Sequence, residues 1–496
     1  MKKFYMPLSC ELIAVMLCSS LMGCANEKGA NSGKASEPVE LIWLMGGAAP
    51  TDQAKVEAKL NEISVKKLGV KMKTIYYEQD DALKLALTSG EKWDIAFTCE
   101  WFNNYAVQAF AGYFADITDK VKTLTPALYD TMPAVVWEGA KVNNKIYAVP
   151  TKKDYCNETY FCFDIKLFED ALGMTIPATM NYADVEPFLA AAKQAWKDGA
   201  PEAANAEYPY KFAKNSVYIE MGYDRINSDV SLGLPYSAIG TADANKVMFA
   251  YEDPNIVAYL KTIRSFYEKG YINPDAPTIE QLEPYSAVKT AGAFYGAEGV
   301  LSSMWFPLKM SKLWGPYLTT SQLRGSLNAI NVKSENIDLA LKYLELVNTD
   351  KEYRDILRYG IEGVHWNKAG DNLVERTTVG VQNYNPWPFS QGSYSLSSVE
   401  KTEGVDADPH MWDVVFKGYE KAVATSALGF SFDVTPVEAQ VAACAAVNKK
   451  YMYSLGCGAV DVDSTIAALI AEMEAAGLRD VQAECQRQLD AYIAGK

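Results

Sequence analysis

Two neighbouring residues, Glu100 and Trp101, place a carboxylate next to an aromatic ring. They come just after the apolar run "DIAFT" (Asp94–Thr98), which predicts a buried strand. Residues that follow a strand of an open α/β sheet lie at its carboxyl edge, where ligands bind. A sugar ring offers a flat face of C–H groups to an aromatic ring and hydroxyl groups to a carboxylate. We therefore predict that Glu100 and Trp101 contact a ligand.

Other candidates share an aromatic or carboxylate side chain and a position near a predicted strand end, crossing or glycine-rich turn. The interior position of Trp43 in the first strand favours core packing over ligand contact, and a core position is also favoured for the two phenylalanines beside Gly429. These further candidates are Trp43, Asp154, Tyr155, Tyr295, Trp305, Phe430 and Phe432.

The sequence offers little for catalysis. His365 and His410 are the only histidines and lie in separate segments, and none of the G-x-S-x-G, H-E-x-x-H, Walker A or G-x-G-x-x-G patterns occurs. The acidic stretches "VDADPH" and "DVDS" lack the ligand spacing of a calcium loop. We expect no catalytic residue, no metal and no cofactor. A carboxylate pair for glycoside hydrolysis stays open, since the chain has 62 acidic residues.

The elements that must position these residues follow an α/β rhythm. Strands are predicted at "VELIWLM", at "VKMKTIYY" (Val70–Tyr77) and at Asp94–Thr98, with amphipathic helices between them. This order implies a mostly parallel sheet covered on both faces. A strand at "RGSLNAINV" and helices capped by Ser334 and Asp350 follow later, and Gly477 separates two final helices.

Composition narrows the class of protein. The 496 residues are 49% hydrophobic and carry a formal charge of -15, with a pI near 4.9. A chain of this length exceeds one ordinary core, and an acidic surface repels nucleic acid. We therefore expect a soluble body of at least two lobes that binds no nucleic acid.

The first residues have the form of an export signal. Lys2 and Lys3 precede a short apolar segment, Leu12–Cys18, which is too short to span a bilayer. "LMGC" resembles the bacterial lipobox, in which the cysteine becomes lipidated. It predicts a signal peptide over residues 1–23, lipid attachment at Cys24 and a flexible polar tether over 24–37.

Six further cysteines follow in the mature chain, and their pairing is open. Disulfides such as Cys156–Cys162 or Cys444–Cys457 are compatible with export, whereas buried free thiols pack as small hydrophobes. The six are Cys99, Cys156, Cys162, Cys444, Cys457 and Cys485.

A series of segments resembles family 1 extracellular solute-binding proteins, the receptors of ABC importers for sugars. It comprises the lipobox, "ELIWLM", "LALTSGEKWDIAFTCEW", "NKIYAVPT" and "NAINVKSENIDLALKYLELV". "YGIEGVHW" and "LGFSFDVTPVEAQVAACAAVNKKY" resemble, more narrowly, the LipO/LplA-like lipoprotein branch with a C-terminal DUF3502 domain.

The resemblance implies a periplasmic-binding-protein-like (type 2) α/β fold with a ligand cleft between two lobes. Lobe 1 would comprise 38–150 plus 321–366, and lobe 2 would comprise 151–320 plus 367–496, with a DUF3502-like region over roughly 367–496. His365 and Trp366 would lie at the return crossing between lobes and join the candidate ligand contacts. Trp366 departs from the tyrosine more usual in that branch.

The function implied is a lipid-anchored, monomeric receptor on the outer face of the bacterial cell membrane. It would capture an oligosaccharide and deliver it to the transmembrane subunits of an ABC permease. The alternative is a surface-anchored glycoside hydrolase or polysaccharide lyase, and a structural or adhesive lipoprotein is disfavoured by the α/β rhythm. Only eight arginines occur, so a neutral sugar is preferred over a uronate-containing one, although Lys152, Lys153 or Arg324 could supply a charge partner.

Overall fold

A computed structural model describes residues 37–217, 222–282, 285–402 and 407–495. The predicted signal peptide, Cys24 and all but the last residue of the tether lie outside these residues, as does the first part of "VDADPH". No helix within the described ranges is both long and apolar enough to span a membrane.

Within the described residues, the strands are two to eleven residues long and fall into five sheets. They are β1 (Val39–Gly46), β2 (Val70–Tyr77), β3 (Ile95–Thr98), β4 (Lys141–Val142), β5 (Lys145–Ile146), β6 (Ala148–Pro150), β7 (Asn157–Asp164), β8 (Tyr223–Asn227), β9 (Leu232–Pro235), β10 (Met248–Phe249), β11 (Val288–Gly292), β12 (Leu308–Leu318), β13 (Leu327–Ile330), β14 (Trp366–Gly370), β15 (Leu373–Arg376), β16 (Val399–Glu400) and β17 (Val423–Ala424).

The α-helices range from single turns to five turns. They are α1 (Gln53–Leu68), α2 (Asp80–Thr88), α3 (Tyr105–Phe110), α4 (Lys120–Thr123), α5 (Pro126–Thr131), α6 (Ala134–Gly139), α7 (Glu186–Lys197), α8 (Pro254–Glu268), α9 (Glu298–Met304), α10 (Thr320–Leu323), α11 (Ile337–Thr349), α12 (Lys351–Tyr359), α13 (Thr378–Asn383), α14 (Met411–Tyr419), α15 (Glu438–Gly456), α16 (Val462–Ala475) and α17 (Leu478–Ala494).

The first sheet has the strand order β2-β1-β3-β13-β6. Strands β2, β1 and β3 are parallel, as predicted, and their connections are the helices α1 and α2. Strand β13 runs antiparallel to both β3 and β6. The amino end of β13 therefore lies at the same edge as the carboxyl end of β3, which brings the segment before Leu327 next to Glu100.

A second sheet, of order β11-β7-β12-β17, lies in the other half of the chain. The chain passes from the first sheet to the second between Pro150 and Asn157, and it returns between β12 and β13. The core beside this sheet gathers Phe161, Phe163 and Leu260 with the apolar faces of α15, α16 and α17. The C-terminal helices thus pack with the second sheet.

Local capping follows the sequence in most places. The Asp350 side chain accepts a hydrogen bond from the Tyr353 amide at the start of α12, and Gly360 ends this helix with φ 86°. Gly477, at φ 98°, separates α16 from α17. The expected cap at Ser334 is wrong: α11 begins after Asn336, because the Ser334 hydroxyl instead donates to Asp94 (2.6 Å) and accepts from the Asn336 amide.

The segment between α13 and β16 packs against helices that cover the first sheet. Arg354 of α12 donates to the Ser393 carbonyl (2.9 Å) and the Tyr384 hydroxyl donates to the Leu357 carbonyl (3.0 Å). The sequence placed everything after residue 366 with the second lobe, whereas these contacts join this segment to the first. The division into lobes stays a prediction.

All six cysteines of the described residues are buried free thiols. The sequence left disulfides and free thiols open, and the structure has the free thiols. Burial raises the pKa of Cys162 and of Cys485 to about 12, so these thiols are unreactive in the folded chain.

Candidate ligand-binding cleft

A cleft opens where the loop after β3 faces strand β8 and the loop after residue 428. One part of it has a volume of about 550 Å³ and is lined by Glu100, Asn104, Asn227 and Phe432, among others. A second part, of about 460 Å³, shares the first three of these residues and adds Trp101. Both volumes lie in the range typical of small-molecule sites. We call these two parts together the cleft.

Glu100 is held at the carboxyl end of β3 by three contacts. Its amide donates to the Arg324 carbonyl (3.1 Å), its Oε1 lies 3.4 Å from the Arg324 guanidinium, and its Oε2 accepts from the Asn104 amide group (3.3 Å). Asn104 in turn caps α3 by accepting from the Val107 amide. The carboxylate is therefore fixed in place, and its side chain keeps 26% exposure toward the cleft.

Trp101 is 54% exposed and belongs to an aromatic cluster. Its indole nitrogen donates to the Gly325 carbonyl (3.1 Å), which fixes the ring. The ring centroids of Trp387 and Phe389 each lie 5.7 Å from that of Trp101. We call Trp101, Trp387 and Phe389 the aromatic platform. A fixed, half-exposed aromatic surface is what the apolar face of a sugar requires.

The platform depends on two glycines at the end of β1. Trp387 lies so close to Gly46 and Gly47 that a Cβ atom at either position would approach its ring to 3.0 Å. Gly47 also has φ +101°, a conformation that other residues rarely adopt. The "GG" that ends the first strand therefore makes room for Trp387.

Arg324 joins the two sides of the cleft. It is 1% exposed, and its guanidinium donates to the carbonyls of Gly139 (2.7 Å) and Lys141 on one side. On the other side it donates to the Ser431 hydroxyl (2.7 Å) and the Gly429 carbonyl (3.3 Å). A buried arginine with this many acceptors is well satisfied, so its role is to hold the walls together.

The loop from Leu428 to Thr435, which we call the C-terminal loop, forms one wall. Phe430 and Phe432 line the cleft, and Phe430 packs on Tyr492 of α17 with ring centroids 5.6 Å apart. Gln488 of α17 donates to the Asp433 carbonyl and accepts from the Asp433 amide. Helix α17 therefore positions the two phenylalanines.

Strand β8 supplies a third wall, with a buried carboxyl group. Asp224 is 2% exposed and accepts a hydrogen bond from the Thr425 hydroxyl. Burial raises the pKa of Asp224 to about 7, since removing water disfavours the charged form. Its neighbour Arg225 is exposed and lines both parts of the cleft.

The structure brings Glu100, Trp101, Phe430 and Phe432 together in this cleft. Asp154 lies beside it, where it links the two connections between the sheets: it pairs with Lys153 (3.1 Å) and accepts from Gln322 (3.0 Å). Both of these partners line the cleft.

Four candidates lie in the protein interior instead. Trp43 is fully buried and donates to Asn328 (2.9 Å). His365 is also fully buried and contacts Asp52 (3.2 Å), while Trp366 donates to the Gly360 carbonyl (2.8 Å). Tyr155 stacks on Phe416. Packing and internal hydrogen bonds occupy these four side chains, so they lie away from the cleft.

Tyr295 and Trp305 lie outside the cleft lining. Tyr295 is 49% exposed, whereas Trp305 is half-buried with the Lys289 ammonium 4.9 Å from its ring centroid. Neither belongs to the residues that line the two parts of the cleft.

Sequence reasoning missed Trp387, Phe389, Asp224 and Arg225. The signal for the first two was "NPWPF", in which prolines fix two aromatic residues outside regular structure. Within the described ranges, no group of three or more His, Cys, Asp and Glu side chains is placed to hold a metal ion.

Comparison with known proteins agrees with this architecture. Residues 426–494 match the domain of unknown function DUF3502, a narrower range than the one predicted. The chain is 28% identical, over 97% of both chains, to a carbohydrate ABC transporter substrate-binding protein of Streptococcus pneumoniae.

Solved structures share the fold. The N-glycan transport solute-binding protein NgtS of Streptococcus pneumoniae superposes with a TM-score of 0.81 at 24% identity, covering 92% of this chain and 99% of that one. A human-milk-oligosaccharide-binding protein of Bifidobacterium longum infantis superposes with a TM-score of 0.58 at 15% identity, with the same coverage. The predicted α/β solute-binding-protein fold is therefore confirmed, and the chain carries a DUF3502 domain over residues 426–494.

Proposed function

We propose that this protein is the substrate-binding receptor of an ABC importer and captures an extracellular oligosaccharide in the cleft. The observation that carries the proposal is that Glu100 lines both parts of the cleft, one with Trp101 and the other with Phe430 and Phe432. Trp387 and Phe389 pack beside Trp101. The relative from Streptococcus pneumoniae, a carbohydrate ABC transporter substrate-binding protein, supports it.

Binding acts on the balance between conformations. One wall follows β3 of the first sheet, whereas β8 and the C-terminal loop share a core with β7 of the second sheet. A ligand that touches both sides therefore stabilises the arrangement in which they are close. We assign β1–β3, β6 and β13 to one lobe and β7, β11, β12 and the DUF3502 domain to the other. The permease subunits would then recognise the closed form of a monomeric receptor.

The charges around the cleft favour a neutral sugar. Lys153 is paired with Asp154, and the guanidinium of Arg324 is occupied by backbone and side-chain acceptors. Glu100, Asp224 and Asp229 add acidic groups to the lining. Among the described lining residues, Arg225 is the one exposed cation that a uronate would meet. This described part of the cleft lining therefore offers no buried, bidentate partner of the kind that a carboxylate ligand prefers.

The alternative, a glycoside hydrolase, also has one observation in its favour. Asp224 lines the same cavity as Glu100, and its raised pKa suits a general acid. However, Asp224 is 2% exposed and its carboxylate already accepts from Thr425, so a glycosidic oxygen has little access to it. The receptor function is therefore preferred.

A single titration separates the two functions. The chain from Pro38 onward is titrated with a panel of neutral oligosaccharides while tryptophan fluorescence is followed, and the recovered glycan is analysed by mass spectrometry. Saturable fluorescence change with intact glycan supports the receptor. Release of shorter products identifies a hydrolase or lyase instead.

For localisation, we propose export followed by lipid attachment at Cys24, on the evidence of the lipobox resemblance. Two or more acyl chains hold a protein stably at a membrane. In a bacterial host, replacing Cys24 with Ser is expected to abolish labelling by radioactive palmitate and to release the protein from the membrane fraction. Unchanged labelling would contradict attachment at this cysteine.

A further inference from the structure

We propose that helix α17 and the β4–β5 turn form a second glycan-binding groove, which takes the distal sugar units of a long or branched neutral oligosaccharide. This inference rests on the proposed function, because the first units of the same ligand would lie in the cleft. The inference assigns a role to the DUF3502 domain, because residues of this domain line both the cleft and the groove, on the two sides of the C-terminal loop.

The groove adjoins the cleft. It has a volume of about 690 Å³ and shares Phe110, Phe430, Ser431 and Asp433 with the lining of the cleft. The C-terminal loop therefore lies between two open volumes, and each of them is in the size range of a small-molecule site. A ligand of one or two sugar units would leave one of these volumes empty.

The groove offers the two kinds of contact that a sugar requires. On one side, Phe110 is 50% exposed at the end of α3, and the half-buried ring of Tyr492 packs on Phe430, which is 8% exposed. On the other side are the exposed side chains of Asn143 and Asn144. Neither amide hydrogen-bonds to a described residue, so each has a free donor and a free acceptor for sugar hydroxyl groups.

The backbone of the β4–β5 turn holds these amides toward the groove. Asn143 and Asn144 have φ values of 49° and 62°, the left-handed conformation of a tight two-residue hairpin turn. Asparagine is one of the few residues with a polar side chain that tolerates this conformation. The turn thus places the two asparagines next to each other at the edge of the groove.

The two cations that line the groove are already paired, which favours a neutral ligand. Lys141 forms an ion pair with Glu138 (2.5 Å), and Arg487 forms one with Glu484 (2.6 Å). An anionic sugar would have to compete with these carboxylates, whereas hydroxyl groups can use the remaining donors and acceptors without breaking a pair.

The groove can be blocked without touching the core. Ala491 of α17 is exposed and lines the groove, so A491W is expected to fill part of it. Ala483 is exposed on the same helix, about 12 Å away along its axis, and does not line the groove; A483W is the matched control. In the turn, N143G/N144G removes both amides while glycine keeps the left-handed backbone.

The test uses calorimetric titration with pairs of short and long neutral glycans: Man1GlcNAc with Man5GlcNAc, lactose with lacto-N-hexaose, and kestose with a longer inulin. For the pair that binds, the wild-type chain is expected to prefer the long member by about tenfold or more. A491W should abolish that preference, and N143G/N144G should reduce it by about three- to tenfold. A491W and N143G/N144G should each leave the affinity for the short glycan within about twofold of the wild-type value. A483W should leave the affinities for the short and the long glycan within the same range.

Three results would overturn the inference. The first is an unchanged preference for the long glycan in A491W, since the ligand then does not reach the groove. The second is an equal loss for short and long members, which places the effect in the cleft. The third is wild-type binding of every short glycan as tightly as its long partner. If the wild-type chain binds no glycan of any pair, the proposed function itself fails, and the groove fails with it.

Discussion

The indole rings of Trp101 and Trp387 lie 5.7 Å apart between centroids, at an interplanar angle of 53°. Trp101 follows strand β3, whereas Trp387 comes from the segment between α13 and β16 that packs against the helices of the first sheet. The platform therefore forms only when these two segments have docked. Its position beside Glu100 makes it the surface on which we expect a sugar ring to stack.

Removing the exposed ring should weaken glycan binding more than folding. Trp101→Ala is expected to weaken glycan binding by about 2 kcal/mol, as for an aromatic residue at the centre of an interface. Because the ring is 54% exposed, the free energy of unfolding should fall by no more than about 1 kcal/mol. Calorimetric titration and urea unfolding of the same variant measure the two effects.

The matched control is Tyr295→Ala. Tyr295 is 49% exposed but does not line the cleft, so its removal should leave glycan affinity unchanged. Equal losses of affinity in both variants would show that the platform has no special role.

Arg324 should be required for the stability of the cleft walls. The guanidinium of Arg324 donates to four acceptors, in Gly139, Lys141, Gly429 and Ser431. In Arg324→Lys a single ammonium group replaces it, and several of the carbonyls lose their hydrogen-bond donor. We expect the free energy of unfolding to fall by about 3 kcal/mol. Urea unfolding measures it.

An exposed arginine provides the comparison. Arg487→Lys, at a residue that is 66% exposed in its side chain, should change the free energy of unfolding by no more than about 0.5 kcal/mol. If Arg324→Lys proves as stable as this control, the bridging role of Arg324 is wrong.

Asp224 should make stability depend on pH. Burial raises its pKa from the ordinary 3.8 to about 7 in the folded chain. Between these values the folded chain binds more protons than the unfolded chain, so the stabilisation is present at low pH and is lost as the pH rises through 7. From about pH 5 to about pH 8 we expect a loss of about 3 kcal/mol relative to Asp224→Asn.

Urea unfolding across that pH range tests this expectation. Asp229→Asn, at an exposed residue near the end of the same strand, controls for the general effect of removing a carboxylate. Parallel pH profiles for the wild-type chain and Asp224→Asn would mean that Asp224 does not titrate in this range.

The six described thiols should not react with reagents in solution while the chain is folded. Because all six described cysteines are buried and unpaired, a reducing agent is expected to leave the melting temperature of the chain from Pro38 onward unchanged. Ellman's reagent should react with the thiols only after unfolding. A lower melting temperature under reduction would reveal a disulfide.

Local structure could be predicted well from the sequence because each signal was local. The spacing of apolar residues in β1–β3 and in the helices between them indicates which residues are buried. Asp350 marks the start of a helix by its side-chain cap, and Gly477 marks a boundary by its left-handed backbone. The position of Glu100 and Trp101 at the edge of the sheet could be predicted because a buried strand precedes them; their contact with a ligand stays a prediction. The antiparallel direction of β13 was not predictable, since it depends on a pairing between distant segments.

The rest of the site depends on docking between segments far apart in the chain. Trp387 becomes part of the platform because Gly46 and Gly47 leave room for it, a relation that no local pattern contains. For the same reason the sequence does not show that Trp366 and His365 are buried by contacts with Tyr359, Gly360 and Asp52. Aromatic content alone could not separate core residues from exposed ones.

Hydrogen–deuterium exchange with and without saturating glycan tests the central claim most directly, since it reports which backbone amides the ligand protects. We predict protection in peptides that contain Glu100–Asn104 and, at the same time, in peptides that contain Asp224–Asn227 and the C-terminal loop, with the glycan recovered intact. Protection of only Glu100–Asn104, or of only Asp224–Asn227 and the C-terminal loop, would contradict capture between the two lobes, and so would recovery of cleaved glycan.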